Sequence, residues 1–330
     1  MRCCLFFILI FFTFSNTQAQ EIKSFDICVY GASSGGVIAA YTASRLGKKV
    51  ILISESLHLG GLSSGGLGNT DIGNKSAITG LARDFYRRIG QHYGNAEQWI
   101  FEPHVAEEIF LDYIKRGHVQ VLYNQHLISV KKSGAGLQEI IVSSNHVELK
   151  GLTEIIRAKE FIDCSYEGDL MAMASVSYTV GRESNLEYNE TYNGVQLRDK
   201  HQFPDGVDPY SISGESTSGV LWGISIQPPD AKGSGDKKIQ AYNFRICLTD
   251  SVQNRIEIKR PLNYDSTHYE LLLRYVEIKK PKNLEDGILN INLMPGRKTD
   301  INNNGPFSTD MIGMNYGYPD GNFENRKKII

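Results

Sequence analysis

The sequence lacks any strong excess of charge and any run of basic residues. Its 330 residues carry 35 Lys and Arg against 37 Asp and Glu, so the formal net charge is −2. Proteins whose main partner is nucleic acid neutralise phosphates with clustered Lys and Arg. The balance therefore argues against nucleic acid and leaves a small-molecule substrate as the expected partner.

Cysteine is scarce, with five in the chain, and no pair has the C-x-x-C spacing of a redox or metal site. We therefore predict no metal centre. Cys28, Cys164 and Cys247 each fall in an apolar run, which predicts buried, small hydrophobic side chains.

An apolar stretch stands near the start of the chain, within residues 1–19. Arg2 gives a short basic segment, the run LFFILIFFTF follows, and Thr17-Gln18-Ala19 resembles a cleavage site. This is the pattern of a secretory signal, and it has no twin arginine, so we expect Sec-type export to the periplasm or cell exterior. The run is short for a bilayer span, so no stable span is expected after cleavage. An uncleaved anchor is the alternative.

The segment Asp26 to Glu55 is the most informative part of the chain. An apolar strand around Cys28 is followed by a turn at Gly31, a helix of small residues from about Gly35 to Leu46, and a second strand, Val50 to Ile53. This βαβ order is typical of a dinucleotide-binding domain, in which the helix N-terminus faces a pyrophosphate.

The glycine pattern after the first strand departs from the strict G-x-G-x-x-G motif. Gly31 and Gly36 are present, but Ser33 replaces the middle glycine, and its hydroxyl could donate a hydrogen bond to the anion. An ordinary strand-to-helix turn is the alternative. The cofactor-binding residues predicted in this turn are Gly31, Ser33, Ser34, Gly35 and Gly36.

The acidic residue expected to bind the ribose is displaced by one position. Ser54 occupies the tip of the second strand, and Glu55 follows it. One step along a strand reverses the side-chain direction. Either Ser54 makes the ribose hydrogen bond, or the strand ends early and Glu55 turns in.

A second glycine cluster, HLGGLSSGGLG from His58 to Gly68, follows the second strand. Glycine lets a backbone pass close to a neighbour because it lacks Cβ. The two pairs therefore predict a loop lying against a large flat ligand, with a flexible linker as the alternative. The predicted binding residues here are Gly60, Gly61, Leu62, Ser63, Gly65 and Gly66.

The run YGASSGGVIAAYTASRLGKKVILISESLHLGGLSSGGLGNTDIGNK resembles the N-terminus of bacterial FAD-dependent oxidoreductases with a glutathione-reductase-type FAD domain. The similarity continues in FEPHVAEEIF, FIDCSYEGDLMAMASVSYTVGRES, QAYNFRICLTD and GRKTDINNNGPFSTDMIGMNY. Some members carry a xanthan lyase label, which describes a different chemistry. The resemblance implies FAD and a chain that is truncated at its C-terminus. The Sec-type signal implies export in the unfolded state, with FAD acquired afterwards.

The resemblance also implies a fold and further site residues. The fold is α/β, an FAD/NAD(P)-binding βαβ domain with an inserted mixed α+β substrate domain. The predicted division is a signal over residues 1–19, an FAD-binding domain over 20–180 and an incomplete substrate domain over 181–330. Leu127 lies on a strand placed near the adenine, and Gly168 and Asp169 on a turn that approaches the cofactor. A simple turn at Gly168 with a helix cap at Asp169 is the alternative.

The remaining periodicity predicts helices over residues 77–93, 103–116 and 266–276. It predicts strands over residues 120–130, 139–143, 146–150, 154–158 and 160–164. A polar cluster of Asn302, Asn303 and Asn304 with Ser308, Thr309 and Asp310 is of the kind that binds hydroxylated ligands, or else a surface loop.

These features together predict a flavin-dependent oxidoreductase that takes a hydride from a small, carbohydrate-related substrate. His104 is the candidate catalytic base, because histidine titrates near neutrality; a structural histidine is the alternative. Two other functions stay open: a nicotinamide-dependent dehydrogenase, and a non-catalytic exported fragment that binds carbohydrate. The substrate, electron acceptor and oligomeric state are not readable from the sequence.

Overall fold

A computed structural model describes residues 22–145, 152–310 and 312–330. The predicted signal over residues 1–19 and the predicted strand over 146–150 lie outside these residues. Within the described ranges, no helix is both long and apolar enough to cross a membrane.

The βαβ unit forms as the sequence predicts. Strand β1 is Ile22–Tyr30, helix α1 is Ser34–Arg45 and strand β2 is Val50–Ile53. Small residues allow α1 to pack tightly, and Val37 and Ala40 on its inner face are fully buried. Gly47 follows the helix with φ +79°, the left-handed conformation common just after a helix end.

Two helices and four strands follow, up to residue 163. They are α2 (Gly80–His92), α3 (Pro103–Gly117), β3 (Gln120–Leu122), β4 (Gln125–Ser133), β5 (Gly136–Ser144) and β6 (Thr153–Asp163). The strand predicted over 120–130 is divided, because Asn124 takes φ +54° and turns the chain. The strands predicted over 154–158 and 160–164 are one continuous strand, β6.

The six strands form a single sheet in the order β3-β2-β1-β6-β5-β4. Strand β1 pairs in parallel with β2 and β6, and β2 pairs in parallel with β3. Strand β5 runs antiparallel to β6 and β4. The fold is therefore α/β, as predicted, and the carboxyl ends of β1, β2 and β6 share one edge of the sheet.

Two apolar cores cover the two faces of the parallel strands. On one face, α1, α2 and α3 pack over Val29 and Leu52. On the other face, Leu127 of β4 and Ile140 of β5 share a core with Cys28 and Tyr30 of β1. Because β4 lies far from β1 in the strand order, the β4–β5 hairpin must curl over this face. The result is a layer of helices, a parallel sheet and a covering hairpin.

The rest of the chain contains fewer regular elements. They are α4 (Asp169–Met173), α5 (Glu270–Lys279), β7 (Leu289–Met294), β8 (Lys298–Asn303) and α6 (Phe323–Ile329). Strands β7 and β8 form a separate antiparallel hairpin. The predicted helix over 266–276 is a short 3₁₀ turn, Ser266–Tyr269, followed by α5.

Candidate functional site

A cleft of about 750 Å³ opens at the carboxyl edge of the parallel strands, where ligands bind in open α/β sheets. The ends of β1, β2 and β6 contribute Gly31, Ser54 and Cys164 to its wall. The glycine loop after β2 and the start of α3 complete it. The predicted site residues that line the cleft are Gly31, Ser33, Ser54, Glu55, Gly61, Gly65, Gly66 and His104.

Gly31 is the residue at which the chain turns from β1 towards α1. Its φ is +93°, and a Cβ there would lie 2.5 Å from the Cys164 carbonyl carbon and overlap the Ser165 backbone. Gly36 faces back onto Gly31, whose carbonyl oxygen a Cβ would also overlap. These two glycines are therefore required first by the close approach of β1, α1 and the turn after β6.

Ser33 caps α1 rather than offering its hydroxyl to a ligand. Its Oγ accepts from the Gly36 N–H (3.3 Å) and donates to the Cys164 carbonyl (2.8 Å). The expectation that this hydroxyl donates to an anion is therefore wrong in this structure. The amides at the start of the helix, at Ser34 and Gly35, have no carbonyl partner within α1, which is the property that makes a helix N-terminus an anion site.

Glu55 turns inward because β2 ends at Ile53, which is the second of the two alternatives raised by the sequence. The buried Tyr30 hydroxyl donates to Glu55 Oε1 and accepts the Leu127 N–H (3.2 Å). Although Glu55 as a residue is exposed, protein surrounds its carboxyl end. That desolvation raises the pKa of Glu55, the Tyr30 hydrogen bond opposes the shift, and Glu167 and Asp169 add to it.

Ser54, the residue before Glu55, stabilises the turn after β2. It is 1% exposed, and its Oγ donates to the His58 carbonyl (3.1 Å) and accepts from the Ser56 N–H (3.3 Å). These bonds hold the turn that carries Glu55. Of the two candidates, Glu55 has the greater acceptor capacity left, since a carboxylate can accept several hydrogen bonds and the buried Ser54 hydroxyl already donates one and accepts one.

The glycine loop packs closely against protein. The Gly60 N–H donates to the Ala32 carbonyl (2.9 Å), and a Cβ on Gly60 would overlap the Phe110 ring. A Cβ on Gly61 would overlap the Tyr166 hydroxyl, which accepts the Leu62 N–H at 2.7 Å. Gly60, Leu62 and Ser63 do not line the cleft. Its wall is formed instead by Gly61, Ser64, Gly65 and Gly66.

Leu127 and Asp169 border a smaller cavity of about 200 Å³ beside the cleft, and Glu55 lines both cavities. Asp169 Oδ2 accepts from Arg326 of α6 at 2.6 Å. The amide of Met171 in α4 is bound instead by Asp163 (2.8 Å), so the alternative that Asp169 caps α4 is wrong. Gly168 does supply the turn, with φ +71°.

His104 is the second residue of α3, is exposed and lines the cleft, so it is not a core histidine. The cysteine prediction holds for Cys28, whose burial raises its pKa to about 12. It is wrong for Cys247, which is exposed and lines the cleft.

Sequence reasoning missed many residues of the site, among them two carboxylates of the wall, Glu107 and Glu167. Tyr30 contacts Glu55, and Tyr166 contacts the glycine loop. Arg245 and Cys247 line the cleft from the second half of the chain. Tyr30 is indistinguishable from a core residue in a buried strand. Arg245 is brought in by a long-range backbone pairing of Ile246 with Ile301, for which the sequence gives no local signal.

A second cavity of about 470 Å³ lies within the second half. Three aromatic rings, those of Phe203, Trp222 and Phe307, line it together with Ser308 and Asp310. The last two belong to the polar cluster predicted from the sequence. Asp310 is held by the Asn243 side chain at 2.6 Å.

The chemistry of the cleft fits a flavin dinucleotide. Ser33, the N-cap of α1, lines the cleft, and the amides of Ser34 and Gly35 that follow it suit a diphosphate, although these two residues are not part of the lining. The Glu55 carboxylate, which does line the cleft, suits ribose hydroxyls. An α/β fold with this arrangement defines a dinucleotide-binding protein.

A family model described as FAD dependent oxidoreductase matches residues 26–330. The chain belongs to this family, and its cofactor is FAD. The alternative of a nicotinamide-dependent dehydrogenase is thereby set aside.

Solved structures align with parts of the chain. A myxobacterial chondrochloren halogenase shares 14% identity over 43% of this chain and 37% of its own, with a TM-score of 0.35. A flavin-dependent brominase shares 13% identity over 49% and 42%, with a TM-score of 0.38. A geranylgeranyl bacteriochlorophyll reductase-like protein from Thermoplasma acidophilum shares 18% over 50% and 48%, with a TM-score of 0.35. The alignments thus span less than half of each of these proteins, and no curated protein matches the chain.

Proposed function

We propose that the protein is an exported FAD-dependent enzyme that removes a hydride from a carbon bearing a hydroxyl in a small, carbohydrate-related substrate. One observation carries the proposal: the α1 N-terminus, the ends of three parallel strands, Glu55 and His104 all meet at one cleft. The secretory pattern of residues 1–19 supports export, and residues 181–330 supply the substrate region in this proposal.

In this proposal, different residues at the cleft bind different parts of FAD. Amides of Ser34 and Gly35 would bind the diphosphate, and Glu55 would accept hydrogen bonds from the ribose. The Tyr30 hydroxyl holds the Glu55 carboxylate in place. Ser33 ties the start of α1 to the end of β6, so the diphosphate site is fixed relative to the sheet before a ligand arrives.

Proton transfer falls to His104. Oxidising an alcohol carbon to a carbonyl releases a hydride and the hydroxyl proton. FAD, when bound, supplies the two-electron acceptor for the hydride. The exposed imidazole of His104, at the cleft wall, takes the hydroxyl proton and passes it to solvent.

The test begins with the absorption spectrum of the purified protein after FAD is added and excess is removed by gel filtration. A retained flavin spectrum is expected. Anaerobic addition of sugars should then bleach the flavin in a single turnover, and His104→Gln should slow bleaching by about 100-fold while leaving the retained FAD unchanged. Failure to retain FAD would refute the proposal.

A second candidate function rests on the aromatic cavity in the second half. A sugar has an apolar C–H face, which would stack on the aromatic rings, and hydroxyls, which would donate hydrogen bonds to Asp310. In this alternative the chain binds carbohydrate without catalysis. Glycan binding that is lost in Trp222→Ala, by a protein that retains no flavin, would favour it.

A further inference from the structure

Arg245 is the one permanent cation among the described residues that line the cleft. No other lining residue in the described part of the chain is Arg or Lys, whereas three are carboxylates: Glu55, Glu107 and Glu167. A lone guanidinium in such a wall marks one point at which an anion is favoured. Close to the three carboxylates an anion is disfavoured, so the sites open to one are the α1 N-terminus and Arg245.

A buried carboxylate holds Arg245 in place. Asp300 of β8 has a side chain that is 0% exposed, and its Oδ1 accepts from Arg245 Nε (2.8 Å) and Nη2 (2.6 Å). Asp300 Oδ2 accepts the Asn69 N–H at 3.2 Å, which ties the pair to the chain just after the glycine loop. Two of the five guanidinium donors are used in this way, and three are left for a ligand.

Arg245 and the start of α1 lie against different residues of the glycine loop. A Cβ on Gly61 would be 3.1 Å from Ser33 Cα, at the start of α1. A Cβ on Gly66, five residues later, would instead be 3.6 Å from Arg245 Cβ. The loop itself is compact, since a Cβ on Gly65 would be 2.9 Å from the Gly61 carbonyl oxygen. FAD retention in Arg245→Met therefore decides between the diphosphate and a substrate anion as the partner of this cation.

We propose that Arg245 binds the carboxylate of the substrate, so that the substrate is a hydroxylated acid such as a sugar acid rather than a neutral sugar. Guanidinium matches a carboxylate with two parallel hydrogen bonds, which fixes orientation as well as position. Asp300 is a positioning residue that holds the guanidinium. This inference rests on the proposed function for the identity of the reaction, but the binding step can be measured by itself.

The experiment compares two sugars that differ only in the group recognised. Glucuronate and glucose are titrated into the protein by calorimetry, with and without FAD. Tighter binding of glucuronate by at least tenfold is expected. Arg245→Met should remove this preference, a loss of about 10- to 100-fold for glucuronate, with no change for glucose and none in FAD retention.

Arg245→Met leaves the buried Asp300 carboxylate without its cationic partner, so the double variant Arg245→Met with Asp300→Asn is measured beside it. The neutral amide that this second change introduces can still accept the Asn69 N–H. Arg297→Met is the matched control, because Arg297 is exposed, pairs with the exposed Asp250 and lies outside the cleft. It should keep the preference.

The outcomes separate this inference from the function on which it rests. Equal affinity for the two sugars in the unmodified protein overturns the assignment of Arg245, even where a neutral sugar bleaches the flavin. Loss of FAD in Arg245→Met with the sugar preference kept also overturns it, and assigns the cation to the cofactor. A preference for glucuronate through Arg245 in a protein that takes no FAD supports the inference and refutes the proposed function.

Discussion

The two halves of the molecule are stabilised in different ways. In residues 22–180, strands and helices bury large side chains completely, as at Leu52, Ile89 and Tyr113. In residues 181–330, the backbone is mostly irregular and large apolar side chains face solvent, as at Ile256, which is 92% exposed. The first half thus has two continuous cores, whereas the second depends on turns, ion pairs and its contacts with the first. Substitutions should therefore act differently in each.

The largest effect is expected where the first half folds back on itself, at Gly31. Gly31→Val would place a branched side chain at φ +93° and into the backbone of Cys164 and Ser165. We expect the free energy of unfolding to fall by at least about 3 kcal/mol, with FAD binding abolished.

The matched control for this change is Gly35→Ala, where the nearest atom to a new Cβ would be Ser33 Oγ at 3.7 Å and the backbone is helical. Urea denaturation and FAD titration of both variants give the comparison. A folded Gly31→Val protein with normal FAD occupancy would show that this turn is not what organises the site.

One substitution made in each half measures the contrast directly. Leu52→Ala removes a fully buried side chain from the central sheet, whereas Leu262→Ala removes one that is fully exposed. The first should cost about 2–5 kcal/mol and the second less than about 0.5 kcal/mol, as measured by urea denaturation. Comparable losses at the two positions would mean that Leu262 is buried in solution and that the contrast between the halves is wrong.

A charged contact joins the halves at Arg326. This side chain is 12% exposed, and it donates to Asp169 (2.6 Å) and to the Tyr318 and Pro319 carbonyls (2.9 and 2.7 Å). Arg326→Met should cost about 2–4 kcal/mol, because it leaves the Asp169 carboxylate and two carbonyls unpaired.

Lys327→Met on the same helix is the control for this contact, since it removes an equal charge from an exposed position and should be nearly neutral. Thermal denaturation of the two variants measures the difference. If both melt alike, the contact does not connect the halves energetically.

The sequence predicts the first half of the chain better than the second. The βαβ unit, its glycine turn and helices α2 and α3 are predicted to within a few residues, because apolar spacing and capping residues are local signals. The single strand β6 is predicted as two, since Lys159 and Glu160 interrupt its apolar pattern. In the second half, the position of Arg245 depends on pairing across 55 residues, and no local pattern encodes that.

The sequence predicts only part of the site, because it shows residue types but not their spatial neighbours. The glycines can be found because a missing Cβ is visible in the sequence, but their neighbours cannot. The sequence indicates a ligand against Gly60, and the structure has Phe110 there, whereas Gly61 both lines the cleft and packs against Tyr166. Ser33 is expected to face the anion, and it bonds Cys164 instead. The partner of a side chain is set by tertiary packing, which residue type alone does not specify.

The smallest effect on stability is expected for Glu55→Gln, a substitution that should change FAD affinity and the free energy of unfolding differently. Its raised pKa means that the folded state binds a proton at this carboxyl more tightly than the unfolded state does. Wild-type stability should therefore fall as the pH rises from the ordinary value for Glu, about 4.3, through the raised folded value. Glu55→Gln removes this dependence, so without cofactor the variant should be at least as stable as wild type at pH 7.

The same variant should bind FAD more weakly than wild type. An ionised carboxylate accepts from hydroxyls more strongly than an amide, so Glu55→Gln should weaken FAD binding by about 1.5–3 kcal/mol, well below the loss in Gly31→Val. Fluorescence titration with FAD and thermal denaturation from pH 4 to pH 7 measure the two quantities. Glu108→Gln, exposed on α3, is the control for a lost negative charge. If Ser54→Ala weakens FAD binding more than Glu55→Gln does while its thermal stability stays that of wild type, the ribose is bound by Ser54, and the inward turn of Glu55 serves only to pair with Tyr30.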